Sequence, residues 1–494
     1  MPRPAPLTAA AVLVAAVAAV ALGGCAVGPN YKRPVMETPQ RYKNALASTS
    51  SALPPERWWS LFHDPMLDQL IERVDVSNQN LAAALAAYEQ TVAAVRLARS
   101  SFFPSISASA SAEHIKSGAG NTPVSSFGGL GVSASGASAS NAGAARRTQY
   151  LYDASGSASW ELDVWGQLRR TLEQAEDTKH ADLAELAYAR LSAQNQLATA
   201  YLQLRGEDAE IQLLTATVTA YQRTLQITQN RYKVGTVAKS DVLEAETSVF
   251  TAQQEQAAAR LSRAQLENAI AALIGKPASD FHIEPRSEWN TTIPDIPTSV
   301  PSALLRRRPD VIAAEYNVAA ANANIGIQEA NYFPQLTLTG TYGFLSTSLG
   351  TLFKAVNASR DAVLSASDTI FNFGGTQAKV AEARAAYREE VATYFQTILT
   401  AFQDVENDLA AVDWDKQQYE ILKQDSDAAD ENERLTLNEY KAGTVDFTTV
   451  VVAQASALSA RLSLAQMEIS EQTAAVSLVS DLGGGWVPAA AAKP

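Results

Sequence analysis

The side chains able to do chemistry in this 494-residue chain are few and scattered. Four histidines, His63, His114, His180 and His282, lie far apart and in no metal-ligand spacing. A single cysteine, Cys25, leaves no disulfide framework and no thiolate zinc cluster to expect. No nucleophile–base motif and no phosphate-binding glycine loop is present, so neither an enzyme nor a metal or other cofactor is expected. Arg306-Arg307-Arg308 could suggest anion binding. Followed by Pro309-Asp310, they are better read as a helix start whose charges pair with acids. One placement does suggest covalent chemistry. Cys25 directly follows Leu22-Gly23-Gly24 at the end of an apolar stretch from Leu7, a position suited to acylation of its thiol.

Residues 1–24 read as a secretory signal: Arg3 is the lone positive charge, and the apolar stretch is too short and alanine-rich for a membrane span. Leu22-Gly23-Gly24-Cys25 resembles a bacterial lipobox, in which the cysteine is acylated and becomes the mature N-terminus. Several acyl chains anchor firmly where one binds weakly. Ala26 follows, where bacterial lipoproteins kept at the inner membrane commonly carry Asp; the resemblance therefore favours the outer membrane.

Composition narrows the classes further. The net charge of −13 makes nucleic acid an unsuitable partner, because phosphate binding needs a basic surface. Only 18% of residues are charged and 7% aromatic, so a large aromatic-filled enzyme core is not expected.

The elements that must position these residues come in two copies. Phe103-Pro104 is answered by Phe333-Pro334, an offset of 230 residues. Trp165-Gly166 is answered by Phe373-Gly374, and Tyr232-Lys233-Val234-Gly235-Thr236-Val237 by Tyr440-Lys441-Ala442-Gly443-Thr444-Val445, both at an offset of 208. The extra residues of the first half fall in a Gly-, Ser- and Ala-rich stretch from Ile115 to Gln149, read as a long mobile surface loop. Its counterpart near Leu345–Arg360 is shorter. Each half predicts one very long helix, about Gln167–Lys233 and about Gln377–Lys441. The apolar seams are Leu197, Tyr201, Leu204, Ile211, Leu214, Val218, Tyr221, Leu225 and Val380, Ala383, Tyr387, Val391, Tyr394, Ile398, Ala401, Val405. At about 1.5 Å per residue such a helix is roughly 100 Å long. Shorter helices are expected at about 65–100, 239–274, 302–332 and 447–482.

Between the helices the period changes to two. Ser105, Ser107, Ser109 and Ser111 alternate with Ile106, Ala108, Ala110 and Ala112. Asp153, Ser155, Ser157, Ser159 and Glu161 alternate with Tyr152, Ala154, Ala158, Trp160 and Leu162. Gln335, Thr337, Thr339 and Thr341 alternate with Leu336, Leu338, Tyr342 and Phe344. Strands are predicted at about 103–114, 151–163, 334–345 and 361–373, long enough to cross a membrane when tilted. In the fourth, Asp368 stands at the place of Trp160 and its face is open. Four strands cannot span a membrane alone, since an open edge in lipid leaves backbone groups unpaired. Three copies would give a twelve-stranded barrel above a ring of long helices enclosing a channel.

With these features placed, the chain resembles an outer-membrane efflux factor of the TolC type, close to the NodT-like lipoprotein branch serving resistance-nodulation-division pumps. The resemblance rests on Gly28-Pro29-Asn30-Tyr31-Lys32-Arg33-Pro34, Trp58-Trp59, Phe62-His63-Asp64-Pro65-Met66-Leu67, Leu305-Arg306-Arg307-Arg308-Pro309-Asp310-Val311 and Leu482-Gly483-Gly484-Gly485-Trp486. It covers essentially the whole chain. It implies a mostly α fold with a small membrane β part: a long α-helical barrel plus a trimer-shared twelve-stranded β-barrel, each chain carrying an internal two-fold repeat. The divisions are then a signal peptide (1–24), a lipidated segment and equatorial belt (25–63), a first repeat (64–274), an equatorial linker (275–301), a second repeat (302–486) and a tail (487–494).

The function implied is a passive exit duct carrying drugs or other small molecules outward across the outer membrane of a Gram-negative bacterium. The implied partners are two further copies in a homotrimer, a periplasmic adaptor (membrane fusion protein), an inner-membrane resistance-nodulation-division pump and outer-membrane lipid. A covalent lipid on Cys25 replaces any cofactor. The turns at Gly235, Thr236, Gly443 and Thr444, with Asp446 beside them, would be tips that meet the adaptor; they would equally serve as ordinary helix caps. Relatives place carboxylates in an iris after the second turn. Here those places hold Thr449 and Val452, no arginine takes the lock positions, and acid appears at Asp241 and Glu244. The expected gate is therefore Asp241, Glu244, Thr448, Thr449 and Val452, unless the acids merely cap helices. The alternatives are a type I secretion exit duct for a polypeptide, or a non-conducting structural coiled-coil lipoprotein. The second explains the helices but not the strand pairs.

Overall fold

The computed structural model describes residues 26–43, 57–116, 148–286, 293–294, 296 and 307–486. Cys25, most of the expected loop and linker, and Arg306 lie outside the described residues. Two compact units are present. One holds Ala94–Ala175, Asn322–Ala385 and the chain up to Tyr31; the other holds Lys32–Ala93, Glu176–Ala321 and Ala386–Pro494.

In chain order the elements are α1 (Pro65–Ser77), α2 (Gln79–Ser100), β1 (Ser105–Lys116), β2 (Thr148–Glu161), α3 (Gln167–Lys233), α4 (Lys239–Leu273), α5 (Pro309–Ala330), β3 (Gln335–Ser346), β4 (Ala358–Ser367), α6 (Gly375–Ala442) and α7 (Phe447–Asp481). The two long helices expected from the seams are present, with 67 residues in α3 and 68 in α6. The helix expected over 65–100 is two. Asn78 breaks it in extended conformation, and its side chain accepts from Leu81 N (3.0 Å) while donating to Leu273 O (2.8 Å). A short amide is better placed capping than inside a helix. Asp64 caps α1 through Met66 N at 2.8 Å, with Pro65 at the first helical position.

In the unit holding most of α3, α4, α6 and α7, the described residues pack helix against helix. Small apolar clusters lie between the helices there. Leu214 meets Ala259 and Leu458; Tyr221 meets Val249 and Ala252; Ala245 meets Tyr440, Phe447 and Val450. Seam residues Leu197, Tyr201, Leu204, Tyr394, Ile398, Ala401 and Val405 are buried. This is side-by-side helix packing through small and aliphatic residues.

The other unit carries one antiparallel sheet in the order β1-β2-β3-β4. The structure shifts each expected strand. β1 starts after Pro104 and β3 after Pro334, because proline lacks the N–H that a ladder requires. Ile115–Lys116 and Thr148–Gln149, expected in the loop, extend the β1–β2 pairing. The β4 expectation is corrected most: the strand is Ala358–Ser367, not 361–373. Its last partner, Ser367, pairs with Gln335, and Pro334 leaves nothing further to pair. Asp368 therefore falls beyond the strand and takes no sheet face. The chain turns away through Phe373 (φ 54) and Gly374 (φ 84).

Candidate functional site

The sheet register sorts its side chains onto two faces. Ile106 pairs with Ala158, Ala108 with Gly156, Ala110 with Ala154 and Ala112 with Tyr152. Ala158 then pairs with Gly340 and Trp160 with Leu338; Leu338 pairs with Leu364 and Gly340 with Ala362. Because side chains alternate, one face is largely apolar across all four strands, with Arg360 on it opposite Tyr342. The opposite face carries Ser105, Ser107, Ser109, Ser157, Ser159, Thr337, Thr339, Thr341 and Asp361. Hydroxyls there bond across strands, Ser107 with Ser157 at 2.8 Å and Ser109 with Ser155 at 3.0 Å.

Aromatic rings stand at the two ends of the apolar face. Trp160 donates Nε1–H to Phe102 O (2.9 Å) at one end. At the other, His114 stacks on Tyr150 (4.6 Å); between the ends, Tyr342 and Phe344 meet edge-on (5.5 Å) opposite Gly156 and Ala154. Trp160 and Tyr150 are separated by about 33 Å of strand, or about 25 Å of height at a 40° tilt, the thickness of an outer-membrane apolar band. The landmarks of the two halves meet beside this sheet. Trp165 stacks on Phe333 at 4.8 Å and donates to Pro334 O at 2.9 Å. The Gly28-Pro29-Asn30 segment is stapled to α3 by Arg170, which donates to Val27 O, Gly28 O and Asn30 Oδ1. Nothing in the sequence pattern singled out Arg170.

The Gly-Thr turns are built alike. Gly235 N donates to Tyr232 O and Thr236 N to Arg231 O; Gly443 N donates to Tyr440 O and Thr444 N to Glu439 O. Both glycines have positive φ, 75° and 81°. This bond pair is a Schellman cap. Each threonine hydroxyl donates again to the same carbonyl, at 2.9 and 3.0 Å. The cap reading of these turns is thus realised in the backbone, and it leaves Val234 75% exposed at the tip. An arginine does reach the second turn, but from the first repeat: Arg231 donates to Tyr440 O at 2.6 Å and lies over its ring at 4.4 Å.

Within the single chain the gate candidates and the neighbouring Asp446 are placed as follows. Asp446 caps α7, accepting at Oδ1 from Thr449 N (3.0 Å) and Thr449 Oγ1 (2.6 Å). Those bonds, the side-chain one first, hold its carboxyl below the usual range. Asp241 sits in the first turn of α4 and accepts from Ser240 Oγ at 3.1 Å. Glu244 lines a groove of about 510 Å³ between α4 and α7, with Leu243, Glu255, Val451, Ala455 and Leu458; none of the other four gate candidates lines it. Thr448 and Thr449 are exposed, and Val452 is 65% exposed.

A further charged cluster, whose acidic partners the sequence does not name, gathers at Arg308. Its Nε and Nη2 donate to Asp310 at 3.1 and 2.8 Å, and it also reaches Asp404 and Asp481, both at 3.4 Å. The expectation that this arginine run begins a helix and pairs with acids is met at Arg308.

The profile of the family described as "Outer membrane efflux protein" matches residues 70–276 and 300–484. The probable efflux pump outer membrane protein TtgC of Pseudomonas putida is 29% identical over 476 residues, covering 95% of each chain. Nodulation protein T of Rhizobium leguminosarum bv. trifolii is 27% identical over 481 residues, covering 95% of this chain and 97% of that one. Among solved structures, the outer-membrane channel OprN is similar at a TM-score of 0.84 and 26% identity, over 94% of this chain and 100% of that chain. These matches take in both repeats, the long helices and the two-faced sheet, and the protein belongs to the outer membrane efflux protein family.

Proposed function

We propose that this chain is the passive exit duct of a tripartite efflux pump, three copies closing one twelve-stranded barrel in the outer membrane. The observation that carries this is the open sheet: four strands, an apolar face with aromatic ends, a hydroxyl-lined face, and edges at β1 and β4. In lipid both edges must pair, and threefold repetition pairs β1 of one copy with β4 of the next. The hydroxyl face then lines a wet lumen, and no catalytic chemistry is needed. A periplasmic adaptor meets the tips at Gly235, Thr236, Gly443, Thr444 and Asp446, and an inner-membrane resistance-nodulation-division pump supplies the energy. Cys25 carries a covalent lipid, the only non-protein group. Asp241 and Glu244 face the passage near Thr448, Thr449 and Val452 and favour cations.

Reconstitution into planar bilayers tests the duct. A conducting, heat-dissociable trimer is expected, and a monomer without conductance overturns the proposal. Loss of cation preference in Asp241→Ala plus Glu244→Ala is expected; unchanged selectivity removes the acidic gate alone. Mass spectrometry of the mature N-terminus tests acylation, which Cys25→Ser abolishes.

A further inference from the structure

The strand register sorts charge as well as polarity. Among the described strand residues every acid, Glu113, Asp153, Glu161 and Asp361, is on the hydroxyl face, whereas Lys116 and Arg360 are on the apolar face. All four strands join their helices at one end of the sheet. The β1–β2 and β3–β4 connections therefore lie at the other end, the outer one in the duct reading. Lys116 is the last residue of β1 and Arg360 the third of β4, so both cations stand toward that outer end. The β3–β4 connection adds a third. It is a folded cap: Ser346 Oγ bonds Thr351 Oγ1 (2.8 Å), Asn357 Nδ2 donates to Thr351 O (2.6 Å), and Leu352 is buried. Phe353 is nevertheless 72% exposed and Val356 86%. Phe353 meets Phe344 edge-on at 5.4 Å, and Phe344 is on the apolar face, so Phe353 carries that face outward. Lys354 follows it and is exposed.

We propose that the outer rim of the apolar face binds a phosphate-bearing lipid of the outer leaflet. Phe353 and Val356 enter its acyl layer, and Arg360, Lys354 and Lys116 hold its phosphates. The inference rests on the barrel proposed above, which turns this face to lipid. That barrel also sets β4 of one copy beside β1 of the next, so Arg360 and Lys116 reach the lipid from neighbouring copies. A cation on a lipid-facing strand needs its counter-ion outside the hydrocarbon, and a long side chain reaches it while its methylenes stay in apolar surroundings. Among the described residues no ion pair engages any of the three. The acids of the sheet all stand on the opposite face, and the connection at residues 347–357 holds none, so nothing on this surface repels an anionic headgroup. The planar guanidinium of Arg360 matches a phosphate in two parallel bonds. A zwitterionic headgroup brings its own cation, so the surface should prefer a lipid whose phosphates are free of one.

The full-length protein in phosphatidylcholine nanodiscs, with and without a minor share of diphosphorylated lipid A, tests this. Native mass spectrometry counts the lipid A retained, and the heat-dissociation midpoint reads its effect on the assembly. The wild type should retain lipid A and dissociate at a higher temperature when it is present. Arg360→Gln plus Lys354→Gln should weaken retention about tenfold, the scale of one lost charged contact, and remove the gain in midpoint. Lys116→Gln gives the same test from the neighbouring copy if the double variant does not assemble. Asp361→Asn, next to Arg360 but on the opposite face, should change neither readout. A conducting wild-type trimer that retains no lipid A, or cation variants that retain it as well as the wild type, overturns the proposal and leaves the duct standing. A chain that forms no trimer overturns the duct reading and this inference with it.

Discussion

The guanidinium of Arg231 lies 4.4 Å from the ring centre of Tyr440 and donates to the Tyr440 carbonyl at 2.6 Å. These residues end the long helices of opposite repeats, so the contact joins the two Gly-Thr turns. The place equivalent to Arg231 in the second repeat is Glu439, which cannot return the interaction. The tip is therefore asymmetric although its two caps are alike.

Arg231→Ala should loosen the second turn by about 1 kcal/mol, the scale of a partly exposed cation–π contact with a charged hydrogen bond. Hydrogen exchange should rise around Gly443 and Thr444 more than around Gly235. Arg231→Lys, which lacks the planar fork, should recover only part of the protection.

Asp446→Ala should open the first turn of α7 by leaving Thr449 N without its acceptor. The Asp446 carboxyl is held low in the folded chain, so its contribution is present above the ordinary carboxylate range and lost as pH falls through the folded value. Exchange of the segment holding Thr449, corrected for intrinsic rates, should therefore match the variant only at strongly acid pH.

Gly206, the lone glycine of α3, faces Ile469 of α7 so closely that an added Cβ would run into its Cδ1 and Cγ1. Gly206→Ala should destabilise by about 1 to 3 kcal/mol through overpacking, offset by about 1 kcal/mol of helix propensity. Adding Ile469→Ala should relieve the clash, so the double variant loses less than the two singles combined.

Ala154 lies midway between the aromatic ends of the apolar face, and Ser157 on the hydroxyl face. Ala154→Lys should cost about 2 to 4 kcal/mol in lipid and lower the yield of assembled protein. Ser157→Lys should assemble and shift conductance toward anions. Equal damage from both would contradict the assignment of faces.

Much of this was legible in the sequence, and for identifiable reasons. Serine and alanine alternating from Ser105 to Ala112 fix a strand period, and Leu197 to Leu225 fix a helical one, because both periods follow from backbone geometry within a few residues. Gly235 and Gly443 announced positive φ for the same local reason. The strand ends were misplaced because register, not propensity, sets them. β4 stops at Ser367 because Pro334 ends its partner, 33 residues earlier in the chain. The break at Asn78 is less legible: asparagine occurs inside helices as well as at caps, and one of the bonds that hold it here runs to Leu273 O, 195 positions away.

By itself, then, the sequence determined the repeat, the long helices, the two-faced strands, the glycine caps and the placement of Cys25 after its apolar leader. Only the tertiary structure decided which charges and rings meet: Arg231 with Tyr440, Trp165 with Phe333, and Arg308 with Asp404 and Asp481. Periods and turns are written in neighbouring residues. Pairings between residues more than ninety positions apart exist only once the chain has packed its helices side by side, and the electrostatics of each site are set there.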